Sequence, residues 1–168
     1  MGYYSLETVS QIQPVKENTM LTTLETLKAE RITCLKSGNK NRSAVISLIL
    51  SAIKQVEVDT RKELSEDEVI GVLTKMVKQR NDSITQYDAA GRVDLADVER
   101  FETVIIEEYL PAPVSEEEID LLIQNTILET EASGMKDMGK VVSLLKPILI
   151  GKADMGLVSK KIKDILSA

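Results

Sequence analysis

Two lysines four residues apart have the spacing in this chain that best fits an anionic ligand. They lie in the segment GMKDMGKVV, where Lys136 and Lys140 stand on either side of Gly139 and precede an apolar run. Residues four apart share one face of a helix, so both ammonium groups would point the same way. A helix start here would add free backbone N–H groups that favour a phosphate. The segment predicts an anion site or, alternatively, an ordinary helix start capped by Asp137 with Gly139 in a tight helix contact.

Charge is segregated along the chain. Residues 133–168 carry a net charge of +4, whereas the whole chain carries −6, which leaves −10 for the remainder. A basic end on an acidic body suits a phosphate-bearing partner. The alternative is that these lysines are merely solvated and complement helix dipoles, which is a common arrangement. The candidate binding residues are Lys136, Gly139, Lys140, Lys146, Lys152, Lys160, Lys161 and Lys163.

Composition removes several classes of site. The chain has no histidine, and Cys34 is its one cysteine. Zinc sites built from Cys and His, Ser-His-Asp triads and disulfide frameworks are therefore excluded within a single chain. We expect no catalytic residue, no metal and no cofactor, and Cys34 as a core filler. No apolar run approaches the ~18 residues of a membrane span, so no membrane contact is expected.

The apolar spacing is helical throughout, which predicts an all-α protein. Aromatic residues make up only 3% of the chain, so the core must be aliphatic. The segments LSEDE and VSEEEI each place a serine three residues before a glutamate, a capping box that starts a helix. The segment PAP at 111–113 is a strong boundary. We expect an N-terminal extension over 1–19, a helical bundle over 20–110 and a small helical domain over 114–168.

The periodicity also assigns individual side chains. Leu35, Leu48, Phe101 and Ile165 are expected to face the core, and Pro147 to kink or restart its helix. Arg80 falls on an inward seam, where a charge must be paired, so an ion pair with Glu102 or Glu107 is expected. Arg42, Lys78 and Arg92 either extend a basic surface or are ordinary solvated helix residues.

The first nineteen residues bear on location. They contain glutamates and no arginine. They also lack the positively charged N-terminal stretch followed by an apolar stretch that a secretion signal has. These features argue against a secretion signal and against a mitochondrial presequence. A single free cysteine fits a reducing compartment. The expected location is the cytoplasm.

Five sequence blocks follow one another along the chain, namely KQRNDSITQYDAAGRVDLA (78–96), EEYLPAPVSEEEI (107–119), SGMKDMGKVV (133–142), GKADMGLVS (151–159) and IKDIL (162–166). With these blocks in this order, residues from about 20 to 168 resemble the YqeY family. Two positions depart from the family pattern. Glu131 stands where a glycine precedes Ala132, and Lys152 stands where arginine is commoner.

The resemblance implies a helical N-terminal bundle followed by a small helical C-terminal domain. That C-terminal part is similar to the tail of the B subunit of glutamyl/aspartyl-tRNA amidotransferases, which touches tRNA away from the catalytic centres. The implied function is a tRNA-binding or amidotransferase-associated adaptor, with tRNA or another structured RNA as partner. The family-level description of a carbon–nitrogen ligase with glutamine as amido-N donor is not expected of this chain alone, because it lacks a glycine-rich phosphate cradle.

The alternative function is a protein–protein interaction module without catalytic activity. In that case a protein partner would dock on the long acidic fourth and fifth helices of the chain.

Overall fold

The computed structural model describes residues 21–168, which form seven α-helices and one 3-10 turn. The helices are α1 (Thr23–Ser37), α2 (Lys40–Thr60), α3 (Glu66–Ala89), α4 (Val93–Glu107), α5 (Glu116–Thr130), α6 (Met138–Leu149) and α7 (Met155–Ser167), and the 3-10 turn is Met135–Asp137. No strand occurs among the described residues. The prediction of an all-α protein is confirmed, and the predicted extension over 1–19 lies outside the described residues.

Helices α3 and α5 start at the serine–glutamate capping boxes that the sequence predicts. Ser65 accepts a hydrogen bond from the Glu68 backbone N–H, and the Glu68 carboxylate accepts from the Ser65 backbone N–H. Ser115 and Glu118 form the same reciprocal pair at the start of α5. Each box satisfies donors that have no partner within the helix. Both predicted capping boxes are confirmed.

The helices bury two separate aliphatic cores. The first lies among α1–α4, which we call the N-terminal lobe, and its fully buried side chains include Leu27, Ile46, Ile49, Leu73 and Ile106. Cys34 is buried in it, as expected. The second lies among α5–α7, the C-terminal lobe, and is built from Ile119, Ile123, Val141, Leu145, Leu149, Val158 and Ile162. The two cores fall on either side of the PAP segment, and the predicted boundary between 110 and 114 stays a prediction.

Several side chains assigned to the core are exposed. Leu35, Leu48, Phe101 and Ile165 all project from helix faces that no other described element covers. Periodicity finds the apolar face of a helix, but a second apolar stripe on the same helix looks the same in sequence. Helix α6 runs through Pro147 to Leu149, so the helix does not restart there, and the predicted kink stays a prediction.

Glu131 shows why the family pattern has glycine at this position. It ends α5 in the left-handed conformation, with φ of 52°, and its N–H donates to carbonyls of the last turn. This conformation strains a residue that carries a Cβ and costs glycine nothing. The loop keeps the geometry of a glycine cap despite the glutamate.

The two lobes touch where the loop after α6 meets the start of α3. The backbone N–H of Val114 donates to the carbonyl of Lys152 at 2.9 Å. Gly151 has φ of 71°, and a Cβ there would collide with Ile70 Cγ2 and lie 3.2 Å from Pro111 Cδ. Gly151 thus lets the loop of one lobe approach the helix of the other.

Arg80 is paired as the sequence predicted. Its guanidinium donates to Glu102 at 2.6 Å and lies 3.9 Å from Glu99. The side chain is mostly buried between α3 and α4, so the charge needs this partner. Arg80 is therefore a structural residue that holds the two helices in register.

A second network, half-buried and open to water at Glu108, joins α1, α2 and the end of α4. Arg42 donates to Glu30 at 2.7 Å and to Glu108 at 2.6 Å, and the Tyr109 hydroxyl donates to Glu30 at 2.5 Å. Burial alone would raise the pKa of Glu30, but the hydrogen bonds from Tyr109 and Arg42 outweigh it and lower that pKa. Burial, and then the bond to Glu30, raises the pKa of Tyr109.

The contact at Gly151 predicts a large loss of stability on Gly151→Ala. The added methyl group strains a left-handed backbone and also collides with Ile70, for a total of about 2–4 kcal/mol. Gly38→Ala is the matched control, because Gly38 has φ of 76° and open space around a Cβ. It should cost only about 1 kcal/mol. Urea unfolding of both variants measures the difference, and equal losses would mean that the lobes do not touch at Gly151.

The Glu30 network predicts a pH-dependent effect of Tyr109→Phe. Because the folded pKa of Glu30 lies below its unfolded value, the network stabilises the protein above about pH 5 and loses that contribution as pH falls through the folded pKa. Tyr109→Phe should cost about 1 kcal/mol at pH 7 and less at pH 3. It should also raise the pKa of Glu30, as measured by carboxyl NMR titration. A loss of stability that is independent of pH would contradict this account.

Candidate nucleic-acid interface

The predicted lysines lie on the 3-10 turn, on the outer faces of α6 and α7 and, for Lys152, in the loop between these two helices. Helix α6 buries Val141, Leu145 and Leu149, which recur every four residues and turn one stripe toward α5 and α7. Helix α7 buries Val158 and Ile162 in the same core. Because the apolar stripes face inward, the polar positions between them are left on the surface.

Five of the seven lysines are exposed, and the other two are half-buried. Lys136, Lys140, Lys146, Lys160 and Lys163 are exposed, whereas Lys152 and Lys161 are half-buried. Among residues 21–168, only Lys161 of this set forms an ion pair with a carboxylate. Six ammonium groups in a segment of net charge +4 are thus available to an external anion.

Lys161 is engaged within the lobe. Its ammonium donates to Asp120 at 2.7 Å and lies 3.6 Å from Glu116, which ties α7 to the first turn of α5. The hydrogen bond from Lys161 to Asp120 is the main cause of its raised pKa. We therefore leave Lys161 out of the interface proposed below.

Lys140 makes one contact inside the protein. Its ammonium donates to the carbonyl of Thr130, the last residue of α5, at 3.3 Å. A cation there satisfies a free carbonyl and complements the negative end of the α5 dipole. This contact restrains the end of the Lys140 side chain, and the ammonium group still has two N–H donors for another partner.

The start of α6 differs from the free helix terminus expected at 137–139. The 3-10 turn precedes α6, so the N–H groups of Asp137 and Met138 donate to the carbonyls of Gly134 and Met135. Asp137 does not cap α6, because its carboxylate accepts from the Ser133 backbone N–H at 3.1 Å. The N–H groups of Asp137 and Met138 are thus already used, so the lysines would be the main groups that hold an anion here.

Gly139 has no structural partner that requires a glycine. A Cβ built at Gly139 or at Gly134 meets no atom within 4 Å. The alternative of a tight helix–helix contact at Gly139 therefore has no support in the described residues. The open space leaves the backbone of α6 accessible beside Lys140.

The arginines that sequence reasoning considered for a basic surface are already neutralised. Arg42 is held by Glu30 and Glu108, and Arg92 is bonded to Asp94 at 2.8 Å. Lys78, in contrast, is exposed on α3 with no ion pair among residues 21–168. Sequence reasoning did not find the Arg42 network, because Glu30 and Tyr109 are 79 positions apart and neither carries a motif.

An open groove of about 430 Å³ lies between α1 and α2. Its floor is apolar, with Leu24 and Leu50, and its rim carries Lys28, Arg31 and Lys54. Lys54 is paired with Glu57 at 3.3 Å. The groove brings together no acid–base pair of the kind that catalysis requires.

Residues 21–168 contain neither a membrane-spanning helix nor a metal-binding cluster. No helix in this part of the chain is both long enough and apolar enough to cross a membrane. The same residues contain no cluster of three or more His, Cys, Asp or Glu that would hold a metal.

Comparison with known proteins identifies relatives over most of the chain. The protein is 37% identical over 112 residues to altered inheritance of mitochondria protein 41 of Clavispora lusitaniae, which covers 66% of this chain and 65% of the relative. It is 32% identical over 130 residues to the protein of that name in Meyerozyma guilliermondii, covering 76% and 68%. The match in Pyrenophora tritici-repentis is 27% over 149 residues, covering 86% and 81%. The aligned part is thus about two thirds of the length of the first two.

The expected cytoplasmic location is wrong. These relatives are named as mitochondrial proteins. The low arginine content of residues 1–19 was a poor guide, since the composition of so short a stretch does not decide the compartment.

A model of the family described as Yqey-like protein matches residues 24–166. This range includes all seven helices except the last residue of α7 and the first of α1. It also contains the five sequence blocks on which the resemblance was based. The chain therefore belongs to the YqeY family.

Proposed function

We propose that this protein binds structured RNA, with tRNA as the intended class, through the outer faces of the 3-10 turn, α6 and α7. The observation that carries the proposal is the set of five lysines there, with Lys152 in the loop between α6 and α7, that have no carboxylate partner among the described residues. Ammonium groups on flexible stems contact phosphates without reading bases, so recognition depends on the shape of the RNA.

Similarity to the tail of the amidotransferase B subunit supports tRNA rather than another RNA. The proposed role is an adaptor that presents or holds tRNA for amidation, with the chemistry supplied by another protein. Because relatives are named as mitochondrial, we place this activity in mitochondria. Fractionation of cells that express a tagged chain tests the location, and a purely cytosolic signal would contradict it.

Stacking on bases makes little contribution in this proposal. The chain has no tryptophan and a single phenylalanine, and Phe101 lies on α4 in the other lobe. Proteins that bind single strands rely on aromatic platforms. We therefore expect folded tRNA to bind more tightly than an unstructured RNA of equal length.

A second candidate function, a protein interaction module, is supported by the outer face of α5. Leu121 and Leu128 are seven residues apart on the same exposed face and are flanked by glutamates. A partner bound there through apolar contacts would survive high salt and nuclease treatment in a pull-down. Loss of the partner under both treatments would instead favour binding through RNA.

Charge reversal predicts which lysines carry RNA binding. Lys136→Glu/Lys140→Glu should weaken tRNA binding about tenfold or more and lower the slope of log K against log salt by about 2. The matched control is Lys75→Glu/Lys78→Glu on α3, which makes the same change in net charge at two exposed lysines. Filter binding or gel shift at several salt concentrations measures both. Equal losses in the two variants would show that only net charge matters and would contradict the proposed site.

Gly139→Ala separates RNA binding from stability. Because its Cβ meets nothing within 4 Å, alanine should raise stability by up to about 1 kcal/mol through helix propensity. If a phosphate approaches the backbone at this point, the same methyl group should weaken tRNA binding several-fold. Asn125→Ala, at an exposed position of α5, is the control for helix propensity. Unchanged tRNA affinity in Gly139→Ala would remove the backbone of α6 from the interface.

A further inference from the structure

Helix α4 has an unusually apolar outer face. Val93, Val98, Phe101 and Val104 are 56%, 55%, 48% and 59% exposed. The inner face of the same helix buries Ala96, Thr103 and Ile106 against the N-terminal lobe. Val98, Phe101 and Val104 follow one another at three-residue spacing and form a small apolar patch of the kind that marks a protein contact, and Val93 lies on the same side of the helix as Val104.

The spacing of this face makes it complementary to itself. Val93, Asp97, Arg100 and Val104 are separated by four, three and four residues, so they form one stripe along the helix. Read in either direction, the stripe has an apolar residue, two charges and an apolar residue. The two charges have opposite signs, so reversing the direction exchanges acid for base.

An antiparallel copy of α4 would satisfy both halves of this pattern. A two-fold axis between positions 98 and 99 sets Val93 against Val104 of the second copy. It also sets Asp97 against Arg100 of the second copy, and the reverse pair follows by symmetry. Such an isologous contact, in which the same patch serves both partners, is the usual basis of two-fold dimers.

We propose that the protein forms a symmetric dimer through antiparallel packing of α4 against α4 of a second copy. Valine contacts and Phe101 at the flank of the stripe supply the apolar burial. The charge pairs set the register. In the single chain Arg100 already bonds to Asp97 at 2.8 Å and to Asp88 at 2.6 Å. The second copy would therefore add a further partner to charges that are already paired.

The size of the contact sets the expected affinity. A 15-residue helix is about 22 Å long, and one helix pair buries less than the ~1,600 Å² of a standard interface. The exposed charge pairs are also screened by water and salt. We expect a reversible dimer with a dissociation constant in the range of roughly 10–1,000 μM, and not a permanent assembly.

Analytical ultracentrifugation of the purified chain tests the dimer. Mass should rise from that of one chain toward that of two as concentration increases into the millimolar range. Val104→Lys should raise the dissociation constant at least tenfold, because it sets an ammonium against Val93 of the second copy. Val58→Lys is the matched control, since Val58 lies on α2 and is also 59% exposed. A single-chain mass at every concentration, or equal effects of the two variants, would overturn the proposal.

A charge exchange tests the antiparallel register. Asp97→Arg and Arg100→Asp should each weaken the dimer, because like charges then face each other across the axis. The double variant Asp97→Arg/Arg100→Asp restores opposite charges and should recover most of the association. Circular dichroism confirms that each variant stays folded. Failure of the double variant to recover would overturn this register, and none of these variants alters the lysines of the proposed RNA interface.

Discussion

Burial of the aliphatic stripes on α6 and α7 is the constraint on which the proposed interface depends. Val141, Leu145, Leu149, Val158 and Ile162 are all fully buried, so both helices have only one way to face α5. The positions left outside include four exposed lysines together with apolar side chains such as Leu144 and Ile148. Core packing thus places these lysines on the surface. A change that loosened this core would also scatter the ammonium groups.

The same lobe limits where an anion can bind. Residues 114–132 contain six acidic residues and no basic one, whereas residues 133–168 carry +4. Lys161 joins the two parts by pairing with Asp120 and Glu116. The lobe therefore carries its excess negative charge on residues 114–132 and its excess positive charge on residues 133–168. In the proposed function, such a field would orient an approaching RNA before any contact forms.

What could be predicted from the sequence was local. The capping boxes at Ser65 and Ser115 were found because each is complete within four residues, and the pair of Arg80 with Glu102 followed from the cost of a buried charge. Phe101 was assigned wrongly, because α4 has apolar residues on two faces and sequence does not say which face meets a neighbour. The Glu30–Tyr109 contact carries no sequence signal at all.

The error at Phe101 also bears on the dimer. In the proposed dimer, one stripe of α4 packs in the core of its own chain and the other packs against the second copy. The fold of a single chain does not reveal the second contact. Asp97 and Arg100 pair within one helix at 2.8 Å, so their opposite signs do not by themselves require a second copy. In the proposed dimer they also occupy the two central positions of the stripe, where a two-fold axis brings opposite charges together. This placement about the axis, more than the number of exposed valines, favours a second copy of the chain over an unrelated protein.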